Sequence, residues 1–297
     1  MLARSTHTNL PVRKIKARIY AGVFIFSTLV GIVVLATLLV RILATGLGNL
    51  DWSFISSYPS RIPERAGILS ALMGTLWVMG FTFLLSVPIG VGTALYLEQY
   101  APKNRLTDIV QTNISNLAGV PSIVYGILGL TIFVRWFALD RSVLAGAMTM
   151  TLLILPITIV ASREAIRAVP RSLEEASYAL GATKWQTIRS VIMPYAMPGM
   201  LTGIILSMSR AIGETAPLIM IGALTYVAFV PGSAGLAQAP LDPFTALPIQ
   251  IFNWSSRPQA GFQDLAATAI IVLLVVLLVM NGVAVLLRDR FQRKAQD

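Results

Sequence analysis

Six separated apolar runs constrain this chain more than any other feature. They cover roughly residues 19–43, 68–97, 114–137, 143–161, 198–224 and 265–287. Each can cross about 30 Å of hydrocarbon as a helix. Backbone groups inside a bilayer find no water, so such runs must satisfy their own hydrogen bonds helically. The chain is 297 residues long, 56% hydrophobic and only 12% charged, with a mean hydropathy of +0.75. A soluble domain carries about twice that charge. The expected fold is therefore an all-α polytopic membrane protein with six transmembrane helices. The first run is too long for a signal-peptide core and has no small-residue cleavage pattern, so it reads as a spanning helix. Pro88 should kink or end the second span, and Pro156 lies inside the fourth. Met197-Pro198 opens the fifth, because proline suits a first helical turn.

The net charge of +10 is explained by topology rather than by nucleic acid. Six crossings put both termini on one side. Take that side as the cytosol. Sixteen cations then lie inside: Arg4, Arg13, Lys14, Lys16 and Arg18 in the tail 1–18; Lys103 and Arg105; Arg163, Arg167, Arg171, Lys184 and Arg189; and Arg288, Arg290, Arg293 and Lys294 in the tail 288–297. Six lie outside: Arg41, Arg61, Arg65, Arg135, Arg141 and Arg257. This is the positive-inside bias of a plasma-membrane protein. Two outer loops remain, 44–66 and a longer, proline-rich 225–264. A loop of that length is expected to cover or contact something. Trp52, Trp136 and Trp254 are expected at the membrane–water interface. Cysteine is absent and His7 is the single histidine, which leaves no thiolate or histidine metal site and no catalytic triad. No Gly-Lys pair occurs in the chain, so there is no P-loop for a nucleotide.

Two polar stretches interrupt this apolar plan. The first is the hairpin 163–198. Ser172 and Glu175 have the spacing of a capping box, and so do Thr183 and Gln186. Gly181 stands where a helix end requires left-handed backbone. A first helix with an apolar stripe of Leu173, Ala176 and Leu180 is expected. A second should carry Trp185, Ile188 and Ile192 and stop at Pro194. Two capped helices joined by a glycine elbow make a rigid knob beside the membrane.

The second stretch, Ser209-Arg210-Ala211-Ile212-Gly213-Glu214-Thr215-Ala216-Pro217, lies inside the fifth span. Counted from Pro198, Arg210 lies about 18 Å in, near the bilayer centre. An arginine there costs at least ~2.5–3.5 kcal/mol on insertion scales unless it faces a partner or water. Glu214 is four residues on, hence on the same helical face. Pro217 deprives the Gly213 carbonyl of its usual donor. The pair reads either as an internal ion pair that serves packing or as the lining of an anion route. Arginine matches two oxygens of a tetrahedral oxyanion. A carboxylate beside it tolerates an anion that still carries a proton, as phosphate does near neutral pH and sulfate does not.

Glu175-Ala176-Ser177, three residues, Gly181, nine residues and then Val191-Ile192-Met193-Pro194 resembles the EAA loop of ABC importer permeases. Ser177, Val191 and Met193 replace the usual Ala, Ile and Leu. Arg210 to Leu218, Val120-Pro-Ser-Ile-Val-Tyr-Gly126 and Pro243-Phe-Thr-Ala-Leu-Pro248 are similar to the A-subunit permeases of phosphate ABC importers. The resemblance implies a type I importer permease fold for a core over 68–287. It also implies a cytosolic ATPase dimer that binds ATP and Mg, a homologous second permease and an extracytoplasmic phosphate-binding protein. It places the chain in a bacterial plasma membrane, itself binding no cofactor and catalysing no reaction. ATPase docking would fall to Glu175, Ala176, Ser177, Leu180, Gly181, Ala182, Thr183 and Trp185. The substrate pathway would involve Arg210, Glu214, Ser209 and Thr215, with Ser122 and Tyr125 as pathway or packing residues. An acidic residue is more usual where Arg163 stands, so the resemblance gives Arg163 no role. A permease for sulfate, molybdate or phosphonate would keep the hairpin and differ at 210–217. An ion-gradient carrier would need no docking knob.

Overall fold

The computed structural model describes residues 10–296; Arg4 and His7 lie outside them. Twelve helices follow in order: α1 Leu10–Gly46, α2 Trp52–Ser56, α3 Leu69–Leu95, α4 Arg105–Leu117, α5 Ser122–Gly129, α6 Val143–Arg167, α7 Arg171–Ala179, α8 Lys184–Thr187, α9 Met193–Gly213, α10 Ala216–Met220, α11 Leu247–Ser255 and α12 Ala260–Gln296. Among the described residues five helices are long and apolar enough to cross a membrane, and the number is six when the bent α4–α5 pair is counted as one broken span.

The core is α6 flanked by α3 and α9. Small residues let these helices approach closely, as between helices in lipid. A Cβ on Gly90 would stand 2.7 Å from Thr158 Cγ2, and one on Gly199 2.9 Å from Ala165 Cβ. Buried hydroxyls bridge the same seams: Thr82 Oγ1 reaches the Ala147 carbonyl (3.3 Å) and Thr158 Oγ1 lies 3.1 Å from Ser207 Oγ. By contrast, α1 exposes its apolar side chains along its length. It is tied to α12 at its C-terminal end, where the Thr268 hydroxyl donates to the Gly46 carbonyl at 2.9 Å.

Five expectations about the spans are corrected. The third is not straight: the axes of Arg105–Leu117 and Ser122–Trp136 differ by 104°. Gly119, Val120 and Pro121 cause the break, since a residue before proline avoids helical backbone. The fifth does not reach 224, because its helix ends at Gly213. It also does not begin at Pro198. α8 runs through a π turn (Ile188–Ile192) straight into α9, and Pro194 and Pro198 both lie within helix. Met193 N–H donates to Ile188 O, five residues back. That wider turn makes room for the Pro194 ring, which would clash in a regular helix. Pro88 is likewise accommodated inside α3, which continues through a second π turn, Tyr96–Tyr100. The terminal spans also outrun their apolar runs: α1 begins at Leu10 and α12 continues to Gln296.

The long loop 225–264 folds back into the bundle rather than covering it. α11 is mostly buried, and its Leu247 N–H is held by Thr75 Oγ1 at 2.8 Å. Trp254 is fully buried between Phe54 and Phe262, so it is a core residue and not an interface anchor. Its indole N–H donates to Gln250 (2.8 Å) in the amide orientation that also lets Gln250 donate to the Thr225 carbonyl. Trp52 and Trp136 are exposed, as an interface position requires.

Candidate functional site

Packing fixes the depth of the polar break. Gly199 meets Ala165, Gly203 meets Ala161 and Ser207 meets Thr158 across the antiparallel α9–α6 seam. That register sets Arg210 level with Ile154, close to the midpoint of the 25-residue α6. Glu214 then leaves the helix (φ −79°, ψ 124°), its N–H still bonded to the Ala211 carbonyl at 3.1 Å. Thr215 follows, and α10 packs its Pro217 and Met220 against bare Gly126 of α5. Pro217 thus breaks the span where the sequence places the break.

Arg210 Nε and Glu214 Oε1 are 3.3 Å apart. The Arg210 side chain is 45% exposed and that of Glu214 21%. The hydrogen bond uses Nε alone, and the Nη donors make no hydrogen bond to another side chain or carbonyl among the described residues. Ser209 is turned towards α12. Its hydroxyl lies 2.6 Å from Asn281 Oδ1 and 2.7 Å from the Ile205 carbonyl. Thr215 is half-buried beside Glu214, and Ser122 is half-buried at the start of α5. Tyr125 is buried and its hydroxyl donates to the Leu117 carbonyl at 2.7 Å, which fastens α5 to α4 across the 104° elbow. That hydroxyl is committed to the fold.

The hairpin has the expected elbow and one of the two expected boxes. Gly181 has φ +82°, and a Cβ there would meet nothing within 4 Å. Thr183 N–H donates to Gln186 Oε1 (2.8 Å) and Gln186 N–H donates to Thr183 Oγ1 (3.4 Å). The box from Ser172 to Glu175 does not form: α7 starts two residues early, with Pro170 at the cap and Ser172 already inside the helix. Pro170 has no N–H to satisfy, and its fixed φ leads directly into the first turn. Ser177 Oγ and Thr187 Oγ1, 2.9 Å apart, tie α7 to α8. Ile188 and Ile192 are buried against Ala94, Ile166 and Met200. Glu175, Ala176, Gly181 and Thr183 are exposed, Ala182 is half-buried, and Leu180 (90% exposed) and Trp185 (58%) stand at the tip. A soluble surface rarely spends such side chains without a partner. Partial desolvation, then the Glu174 charge, raises the Tyr178 phenol above its ordinary value, although the residue is 40% exposed.

Sequence reasoning missed a charge cluster behind the hairpin. Arg163 is 6% exposed. Its Nη2 lies 2.8 Å from Glu98 Oε1, and Arg167 Nη2 reaches the same oxygen at 2.8 Å. Glu98 sits on the π turn that ends α3, so the cluster locks the ends of α3 and α6 just before the chain enters α7. The available signal was two arginines at i, i+4 near the C-terminal end of one span and a lone acid at the same end of its parallel neighbour. A cavity of about 550 Å³ separates this root from the hairpin and is lined by Glu98, Arg167, Glu174, Glu175 and Lys184.

Comparison with known proteins gives a consistent family. The model of the "binding-protein-dependent transport system inner membrane component" family matches residues 86–296. The chain is 33% identical over 260 residues to the probable ABC transporter permease protein YqgI of Bacillus subtilis, covering 86% of this chain and 88% of that one. It is 33% identical over 286 residues to the phosphate transport system permease protein PstA 1 of Mycobacterium tuberculosis, covering 93% and 90%. PstA of Haemophilus influenzae is 29% identical over 89% of this chain and 91% of that one. Among solved structures, a bacterial alginate ABC transporter in complex with a pentasaccharide-bound periplasmic protein superposes with a TM-score of 0.63. It is 17% identical and covers 92% of this chain and 94% of that one, a likeness of fold alone.

Proposed function

The chain belongs to the family of binding-protein-dependent transport system inner membrane components, and from that premise we propose that it is one permease half of an ATP-driven importer of inorganic phosphate. One observation carries the choice of cargo. A guanidinium with free Nη donors stands at mid-depth beside a single carboxylate, at the point where the span breaks. Such a group offers a two-oxygen grip to a tetrahedral anion, and the carboxylate accepts the proton that phosphate retains. The curated relatives named as phosphate permeases support the same cargo.

In this reading a separate ATPase pair grips the tip of the hairpin at Leu180 and Trp185. ATP closes that pair, and the closure moves α7 and α8. Because α8 runs unbroken into α9, the motion reaches Arg210 and turns it between the two sides of a bacterial plasma membrane. A homologous second permease supplies the facing wall, and an extracytoplasmic binding protein delivers phosphate. This chain holds no nucleotide itself.

The test is uptake of labelled phosphate by vesicles containing the full importer. Uptake should persist when proton and sodium gradients are collapsed and ATP is supplied, and stop when ATP is withdrawn. Uptake that follows an ion gradient instead would overturn the ATP-driven reading. Preferential uptake of sulfate would overturn the choice of cargo.

A further inference from the structure

A second cationic cavity lies outward of the polar break, and nothing above uses it. It measures about 500 Å³, and Arg135, Arg141 and Asp140 line it together with Leu130, Val134 and Leu224. Its place follows from the packing. α10 starts just after Glu214, lies against Gly126 of α5, and ends before Gly222, which touches the Arg141 side chain. The cavity therefore caps the outer end of α10, while the Arg210–Glu214 pair stands at its inner end. α6 begins two residues after Arg141 and rises 11 residues, about 17 Å, to the level of Arg210.

Among the described residues neither Arg135 nor Arg141 has a carboxylate within 4 Å. The backbone works to hold them there. Ala138 (φ 52°) and Asp140 (φ 50°) are the two non-glycine residues with left-handed backbone among those described. Such strain persists only where the surroundings fix it, and it concentrates at functional sites. Both flanks are pinned: Leu139 N–H donates to the Phe133 carbonyl at 3.1 Å, and Val143 N–H to the Asp242 carbonyl at 3.0 Å. Arg135 rides on a π turn, Leu130–Trp136. Gly222 (φ +82°) has no side chain, and a Cβ there would stand 2.8 Å from Arg141 Nε, so only a bare residue admits the guanidinium. An arginine placed merely to complement a helix C-terminus would need none of this. The lining also repeats the residue types of the break, arginine with a single acid, Asp140.

We propose that this cavity is an outer waiting site for a protonated tetrahedral oxyanion, occupied by phosphate between delivery at the outer surface and transfer to Arg210. The proposal rests on the importer reading above. Its test uses the absence of cysteine from the chain. Val134→Cys puts one thiol in the cavity wall of the assembled importer, and its modification is followed by the mass of this chain. Reagent rates are compared with those for a small free thiol. An anionic sulfonate thiosulfonate should then be favoured over its trimethylammonium analogue by about tenfold, the low end of cleft focusing. Arg135→Gln with Arg141→Gln should abolish that preference. Inorganic phosphate should slow the anionic reagent, and sulfate should slow it less. The paired Gln variant should also lower phosphate uptake about tenfold at limiting phosphate, with capture of the loaded binding protein unchanged. No charge preference, or no protection by phosphate, in an importer that still carries phosphate overturns the waiting site and leaves the importer reading intact. Loss of binding-protein capture with labelling and protection unaltered would make the two arginines a protein-docking surface, and also overturns it. An importer that carries no phosphate at all overturns both readings.

Discussion

Arg210 is held by one 3.3 Å contact from Nε, which leaves its remaining donors for cargo. Arg210→Gln removes a charge-assisted grip worth about 1.5–3 kcal/mol, so phosphate uptake should fall roughly ten- to hundredfold. Arg210→Lys restores the charge without the planar fork, and an intermediate rate is expected. Equal loss in both variants would mean that shape rather than charge matters at this position. In the proposed reading Glu214 has the opposite task, to repel an anion that brings no proton. Glu214→Gln should let sulfate compete with labelled phosphate where the parent importer resists it; unchanged competition would rule out that role. Both residues were legible in the sequence because charge inside an apolar span is rare and expensive. Ser209 was legible only as a polar residue. Its turn towards Asn281 depends on a partner 72 residues away. The same limit hid Arg163, whose carboxylate partner is 65 residues distant and is aimed by a π turn that no local pattern announces.

At the scale of elements, the α7–α8 hairpin and the α3–α6 root form two joined rigid units. The tip elbow depends on Gly181 in a conformation that costs an L-residue about 1–2 kcal/mol. Nothing crowds its missing Cβ, so the penalty is backbone strain alone. Gly181→Val should therefore weaken capture of the ATPase about tenfold, while Gly181→Asn, which tolerates left-handed backbone, should keep it. Capture on immobilised permease separates the two, and a valine variant that binds normally would remove the elbow from the docking account. At the root, Glu98→Gln leaves Arg163 buried without its counter-charge. Breaking a buried pair costs about 3–5 kcal/mol, and the side chains here are only 7% and 15% exposed. A large drop in thermal stability in detergent is expected; a drop no greater than that of a surface control would show the cluster to be solvated. The Thr183 box was readable because both partners are local. The Ser172 box failed because Pro170 took the cap two residues earlier. The burial of α11 and Trp254 was not readable, since a proline-rich stretch between spans looks the same whether it lies over the bundle or folds into it.

The whole molecule turns on continuity between the hairpin and the path. Lys184 to Gly213 is one 30-residue helical rod containing a π turn and two prolines. At about 1.5 Å per residue it spans roughly 45 Å, from the exposed knob to the residue beside Arg210. A rod transmits displacement only while it is stiff, and here the stiffness has a local source. Ile188 and Ile192 of the π turn are buried against α3, α6 and α9 side chains. Grip and transmission are thus separable. Ser190→Gly with Val191→Gly leaves Leu180, Gly181 and Trp185 untouched and softens the rod just below the knob, at about 1 kcal/mol per glycine in helix. That variant should capture the ATPase as the parent does and still support ATP hydrolysis, yet carry phosphate at a tenth of the rate or less. Gly181→Val should weaken capture and transport together. If the double-glycine variant transports normally, the force travels by another route, and the Glu98–Arg163 root, which links α3 to the chain entering α7, becomes the element through which the knob moves the bundle.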